Sequence, residues 1–298
     1  MPSSKFELER SLLQKAVRRG NEYVIEKAFK YLLLNDKKSW LKKRLVVMGY
    51  EECWTYADKL NIECSSYDLL QQYKTLSRTI KNKNAVGLVD LARKLNEYET
   101  SALVGNENEK RAIQSVANAL NHPDEFWEWI KSEPSYQKNK FRIERAMGDV
   151  NKKTITDDSS MMYAAAYLAV KYPIPETQAS EPDNSEDFPY WIAVDKHTSI
   201  GRDKYIEACR EIDLMPVRGM KLGFYLEGGV CNKVEHSPFW DHMVNWYLNH
   251  IGYTIEEAKE KWEKLKPILI ELTKEDVNLM LERMNDLRIE SNQIELFE

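Results

Sequence analysis

Apolar residues three and four positions apart recur through almost all of this 298-residue chain, and that spacing restricts the fold more than any other feature. Leu8, Leu12, Leu13, Ala16 and Val17 form one stripe. Val24, Ile25, Ala28, Phe29 and Leu32 form the next, and Gly20-Asn21 is the break between them. The pattern returns at Leu41, Leu45, Val46 and Met48, then at Leu69, Leu70, Tyr73, Leu76 and Ile80. It continues from Val86 to Leu95, Ala112 to Leu120, Ile255 to Leu272 and Glu275 to Leu287. Met161 to Val170 is apolar on every side and reads as a buried helix. No stretch is rich in strand signals and no repeat of fixed period occurs. The expected fold is all-α, a multi-helix globular protein. Its clearest loop is the polar segment 173–187, read as a lobe boundary or an active-site flap. That divides the chain into lobes 1–172 and 173–298, with one single domain as the alternative.

Charge and composition narrow the function classes. The 48 acidic and 43 basic residues leave a net charge of −5, so no global basic field draws the protein to nucleic acid. A nucleic-acid partner then requires a local basic patch, and 132–158 supplies the candidate cations Lys138, Lys140, Arg142, Arg145, Lys152 and Lys153. Cys53, Cys64, Cys209 and Cys231 lack the CxxC spacing of a zinc site and suit reduced thiols. The first residues contain no apolar signal core, and no apolar run approaches the ~18 residues of a membrane span. A cytoplasmic location without membrane association is the expectation.

The densest polar chemistry is Asp195-Lys-His-Thr-Ser-Ile-Gly-Arg202, which follows the apolar run Tyr190 to Val194. In a structural reading Asp195 caps a helix, His197 is a satisfied histidine, and Thr198 and Arg202 bind backbone and a carboxylate. In a catalytic reading Asp195 activates water or stabilises positive charge, His197 orients substrate or moves a proton, and Arg202 and Thr198 hold substrate or its phosphate. Glu227, in a Gly-flanked turn, is then the second carboxylate. Lys15, Arg18 and Arg19 close the first helix beside Gly20, where cations either complement the helix terminus or grip phosphate. Arg44 lies in a basic helical turn, with Glu51 and Glu52 two turns on; Glu52 is a second-rank pocket candidate. His236, His242 and His250 match no standard zinc spacing, so no metal is assigned.

Three blocks together resemble one family, in the same order. Gln14-Lys-Ala-Val-Arg-Arg-Gly20 with Trp40-Leu-Lys-Lys-Arg-Leu-Val-Val-Met-Gly-Tyr-Glu-Glu52 is similar to that family's QKAIRRG and WRRLLIIASED segments. Val194 to Arg202 is similar to LDKHTRRGR, and Phe224-Tyr-Leu-Glu-Gly-Gly-Val-Cys-Asn-Lys233 to FFEEGAKLNN. The family is the helical carboxyl-terminal region of the RarA/MgsA-type AAA+ ATPases, which act at stalled replication forks, together with short stand-alone proteins of that likeness. Met48-Gly-Tyr-Glu-Glu52 departs from its Ala-Ser-Glu-Asp. The resemblance implies DNA as partner and self-association into a homo-oligomer. No GxxxxGK[ST] phosphate loop occurs, so the chain is expected neither to bind ATP nor to be the ATPase.

Paired carboxylates in a basic cradle, with no metal or other cofactor, suit hydrolysis of an N-glycosidic bond, whose oxocarbenium-like transition state a nearby anion stabilises. The leading expectation is a metal-free DNA glycosylase. The alternatives are a non-catalytic DNA-binding or oligomerising accessory module and a metal-dependent nuclease.

Overall fold

The computed structural model describes residues 6–150, 156–184 and 190–285. The described residues fold into α-helices and short helical turns with no β-strand, so the protein is all-α. Glu7–Arg19 (α1), Glu22–Leu34 (α2), Lys38–Cys53 (α3) and Ser66–Ser77 (α4) are followed by Asn84–Asn96 (α5), Glu107–Asn121 (α6) and Pro123–Ser132 (α7). Tyr136–Asp149 (α8), Asp157–Lys171 (α9), Ser199–Glu211 (α10), Pro216–Gly223 (α11), Pro238–His250 (α12) and Ile255–Asn285 (α13) complete the order.

The helix ends follow local chemistry. Glu7 and Glu9 open α1 and Arg18 and Arg19 close it, each sign at the terminus that the helix dipole favours. Gly20 then takes φ 80° and turns the chain into α2, which Asn21 caps by accepting the Val24 N–H at 2.9 Å. Asn106 and Glu109 form a reciprocal capping box on α6. Residues 161–170 of α9 are buried throughout, as their all-round apolar pattern requires.

Burial divides the apolar side chains into two cores. One gathers α1, α2, α4 and one side of α3 around Leu12, Phe29, Leu45 and Tyr73. The other gathers α5 to α12 around Leu88, Ile113, Tyr163 and Phe239. Two helices serve both. From α3, Leu41, Leu45 and Met48 enter the first core, while Val46 and Tyr50 enter the second. From α13, Trp262, Leu265 and Leu269 enter the second, while Val277, Met280 and Met284 enter the first. The cores therefore do not divide at residue 173.

The described part of the loop expected at 173–187 is tied down as a strap. Ile80 N–H donates to Gln178 O at 2.9 Å, Asp183 N–H to Gly20 O at 2.8 Å, and Ser180 N–H to Arg78 O. The Thr55 and Thr177 hydroxyls pair at 2.9 Å, and the Lys233 ammonium donates to Ser180 Oγ and Glu181 O. Residues 185–187 of that loop lie outside the described residues.

Candidate functional site

Helix α1 builds the site because its polar residues fall into two stripes of i, i+4 spacing beside its apolar face. The first stripe is Glu7, Ser11 and Lys15. Glu7 accepts from both the backbone N–H and the hydroxyl of Ser199, each at 2.7 Å. Ser11 donates to Asp195 Oδ2 at 3.2 Å, and the Lys15 ammonium reaches the same oxygen at 2.6 Å. The second stripe is Arg10, Gln14 and Arg18. The Arg10 guanidinium lies over the Trp40 ring, 5.0 Å from its centroid, Gln14 accepts from Arg44, and Arg18 donates to Glu51 at 3.0 Å. Positions 10 and 14 of α1 meet positions 40 and 44 of α3 in the same order, through long side chains.

Both stripes line one cleft of about 560 Å³. Its walls come from α1, α3 and the turn 195–198, completed by Val86, Asp158, Met161 and Phe224. All three motif blocks contribute: Gln14, Lys15, Arg18, Trp40, Arg44 and Glu51 from the first, Asp195, His197 and Thr198 from the second, Phe224 from the third.

The Asp195 turn is compact. Asp195 Oδ1 accepts the His197 N–H at 2.8 Å, and the Asp195 carbonyl accepts from both the N–H and the hydroxyl of Thr198. Thr198 Oγ1 then caps α10 by accepting the Gly201 N–H at 2.9 Å. The cap is thus Thr198, one turn later than the structural reading of Asp195 places it. A Cβ on Gly201 would run into the Asp195 carbonyl, which explains the glycine of this motif. His197 is not a buried structural histidine. Its ring is 61% exposed at the cleft, with Nδ1 3.3 Å from Asp195 Oδ1. Burial pushes the Asp195 carboxyl up, but the Lys15 ammonium and His197 outweigh it and hold the group well below the usual carboxylate range. Burial and the Arg18 charge lower the Lys15 ammonium against the attraction of Asp195.

Behind this turn, Arg18 anchors a buried ionic network. Its Nε donates to Glu52 at 2.7 Å and its Nη1 to the Gly228 carbonyl, while Lys83 approaches the other Glu52 oxygen at 3.1 Å. Glu52 is fully buried and outside the cleft wall; Arg18 and Lys83 overcome its burial and keep it ionised. Glu51 is the carboxylate that reaches the cleft, held by Arg44 at 2.8 Å and by Arg18. Seven residues separate Arg44 from Glu51, two full turns, so the helical phase points to Glu51 over Glu52.

The remaining candidates lie elsewhere. Arg19 donates to the Glu227 carbonyl at 2.6 Å, and Arg202 is exposed on α10; neither lines the cleft. The Glu227 carboxylate turns to α13, where it accepts from Lys266 at 2.5 Å and Trp262 at 3.5 Å. The reason is a π-helical turn over Phe224–Gly228, closed by the Gly229 N–H donating to Phe224 O. In an α-helix Glu227 would share the Phe224 face at i+3; the wider turn carries it away.

No family model, curated protein or solved structure matches this chain.

His242 pairs with Glu109 at 3.2 Å, His250 lies 3.6 Å from Glu99, and His236 contacts Asp241, so these histidines face three different acids. Among the described residues, no group of three or more His, Cys, Asp or Glu is placed to hold a metal ion. In the expected basic segment, Lys140 lies near Glu144, Arg142 pairs with Asp58 at 3.2 Å and Arg145 with Asp149 at 2.9 Å. Lys152 and Lys153 lie outside the described residues. The arrangement at the cleft can present an ionised carboxylate next to an accessible imidazole. Trp40 and Phe224 supply flat apolar walls.

Proposed function

We propose that this protein is a metal-free N-glycosidase acting on DNA, with the cleft receiving one nucleotide turned out of the stack. The observation that supports it is Asp195, an ionised carboxylate held beside the exposed His197 in a cleft with room for a nucleoside. Cleavage of the N-glycosidic bond sends its electron pair to the departing base and leaves positive charge spread over C1′ and the ring oxygen. Asp195 opposes that charge. Its oxygens are already engaged by Lys15, Ser11 and His197, which suits an electrostatic role better than nucleophilic attack. His197 supplies a proton to the leaving base and recovers one from the water that adds to C1′. Glu227 has no part in this scheme, because its carboxylate is held by Lys266. Kinship with the RarA/MgsA-type helical region belongs to the same proposal, supported by the meeting of its three motif blocks at one cleft.

The test uses unmodified and base-modified DNA, single- and double-stranded, with and without chelator, followed by alkali. Strand breaks that appear only after alkali and ignore the chelator are expected. Chelator-sensitive direct breaks would point to the nuclease, and intact DNA in every lane to a non-catalytic binding or self-associating module. Asp195→Asn should remove product but also strand the buried Lys15 charge, at a cost of about 3–5 kcal/mol. The double variant Lys15→Met/Asp195→Asn should recover most of that stability and no activity. Full activity in the double variant would end the proposal.

A further inference from the structure

The cations of the cleft differ in how they are neutralised. Lys15 pairs with Asp195, Arg18 with Glu51 and Glu52, and Arg44 with Glu51 and the exposed Asp158. Arg10 has no carboxylate within 4 Å among the described residues, although it is only partly exposed and its Nε is buried without a hydrogen-bond partner. The Arg44 Nε is also buried and without a hydrogen-bond partner. An Nε–H so placed gives up its water contact and gains no protein partner in return, which leaves each guanidinium with unused donor capacity.

The two groups are positioned by the same α1–α3 seam. The Arg10 guanidinium carbon lies 5.0 Å from the Trp40 ring centroid, a cation–π contact that holds the group against the ring. One helical turn on, Gln14 and Glu51 hold Nη2 of Arg44. Arg10 and Arg44 both line the cleft, and the Arg10–Trp40 and Gln14–Arg44 contacts set them at the same end of it, where two guanidinium groups can share one tetrahedral oxyanion.

We infer that the α1–α3 end of the cleft is a subsite for a single phosphate, gripped by Arg10 and Arg44, with Asp195 serving the sugar of the same nucleotide. The inference deepens the proposed function by naming the unit recognised as a nucleotide, not a nucleoside. Its ligand chemistry is a phosphate oxyanion, either the diester of a strand or the ester of a free nucleotide.

Calorimetric titration of the full chain tests it without reference to product. The titrants are inorganic phosphate, a deoxynucleoside, its 5′-monophosphate and a deoxydinucleoside monophosphate. Phosphate-bearing titrants should bind more tightly than the nucleoside, with inorganic phosphate competing against them. Arg10→Gln should weaken phosphate-bearing titrants about 10- to 100-fold and leave the nucleoside unchanged, while Glu227→Gln should change neither. Tighter binding of the diester identifies a strand as the source, and tighter binding of the monoester a free nucleotide. Equal affinity for nucleoside and nucleotide, or an Arg10→Gln variant that binds phosphate like the parent, would overturn the subsite. Phosphate binding in a protein that leaves all DNA intact would retain the subsite and remove only the glycosidase.

Discussion

At Asp195, burial and charge pull in opposite directions, and the Lys15 ammonium 2.6 Å away decides the result. The sign of the pH dependence follows. Because the folded carboxyl titrates below its unfolded value of about 3.9, its contribution to stability is complete above that pH and is lost as pH falls further. Glu51 and Glu52 are shifted the same way by Arg44, Arg18 and Lys83. Thermal melting from pH 7 to pH 2 should therefore show a steep loss of midpoint below pH 4, and a shallower one in the Lys15→Met/Asp195→Asn variant. Parallel curves for the two proteins would contradict the assigned pairing. This scale was the hardest to read from sequence. Lys15, Arg18, Arg44, Asp195, His197 and Thr198 were legible because charged and polar types cluster within short segments, and all line the cleft. Arg10 was not, since its meaning depends on Trp40, thirty positions away. Glu227 was misplaced because a single π turn rotates it out of an otherwise helical register.

The helices were legible because burying a stripe demands residues three and four apart, and nothing else in the chain competes with that demand. What periodicity does not carry is how closely two elements approach. Gly87 of α5 faces the backbone of Phe239 and Trp240 at the start of α12, where a Cβ would collide. Gly201 is in the same position against the Asp195 carbonyl. Gly201→Ala should cost about 1–3 kcal/mol by overpacking and also displace Asp195 from Lys15. Urea unfolding should move to a lower midpoint, and product formation should fall. A variant with parental stability would show that the 195–201 turn is not held as described. The strap was likewise beyond periodicity, because backbone hydrogen bonds to Arg78, Ile80 and Gly20 carry it, and these leave no mark in side-chain pattern.

Across the whole molecule, α3 and α13 each place side chains in both cores, so neither core can melt without exposing part of a helix that the other retains. Unfolding should be a single transition. Leu269→Ala and Met280→Ala, one in each core and both fully buried, should each cost about 2–5 kcal/mol and shift the whole transition. Two separated steps, seen by calorimetry or by circular dichroism against tryptophan fluorescence, would show that the cores are independent.

Polar side chains of α1 meet partners that are made much later in the chain. Helix α1 is synthesised well before its partners: Asp195, which accepts from Ser11, lies 184 residues later, and Arg283, which donates to Glu9, lies 274 residues later. At roughly 5–20 residues per second, the first wait alone is roughly ten to forty seconds. Through that interval α1 can pair its apolar side with α2 and α4, but one side of what becomes the cleft stays open to water. The cleft therefore cannot close until synthesis has passed Asp195 and Phe224, the later residues of its wall.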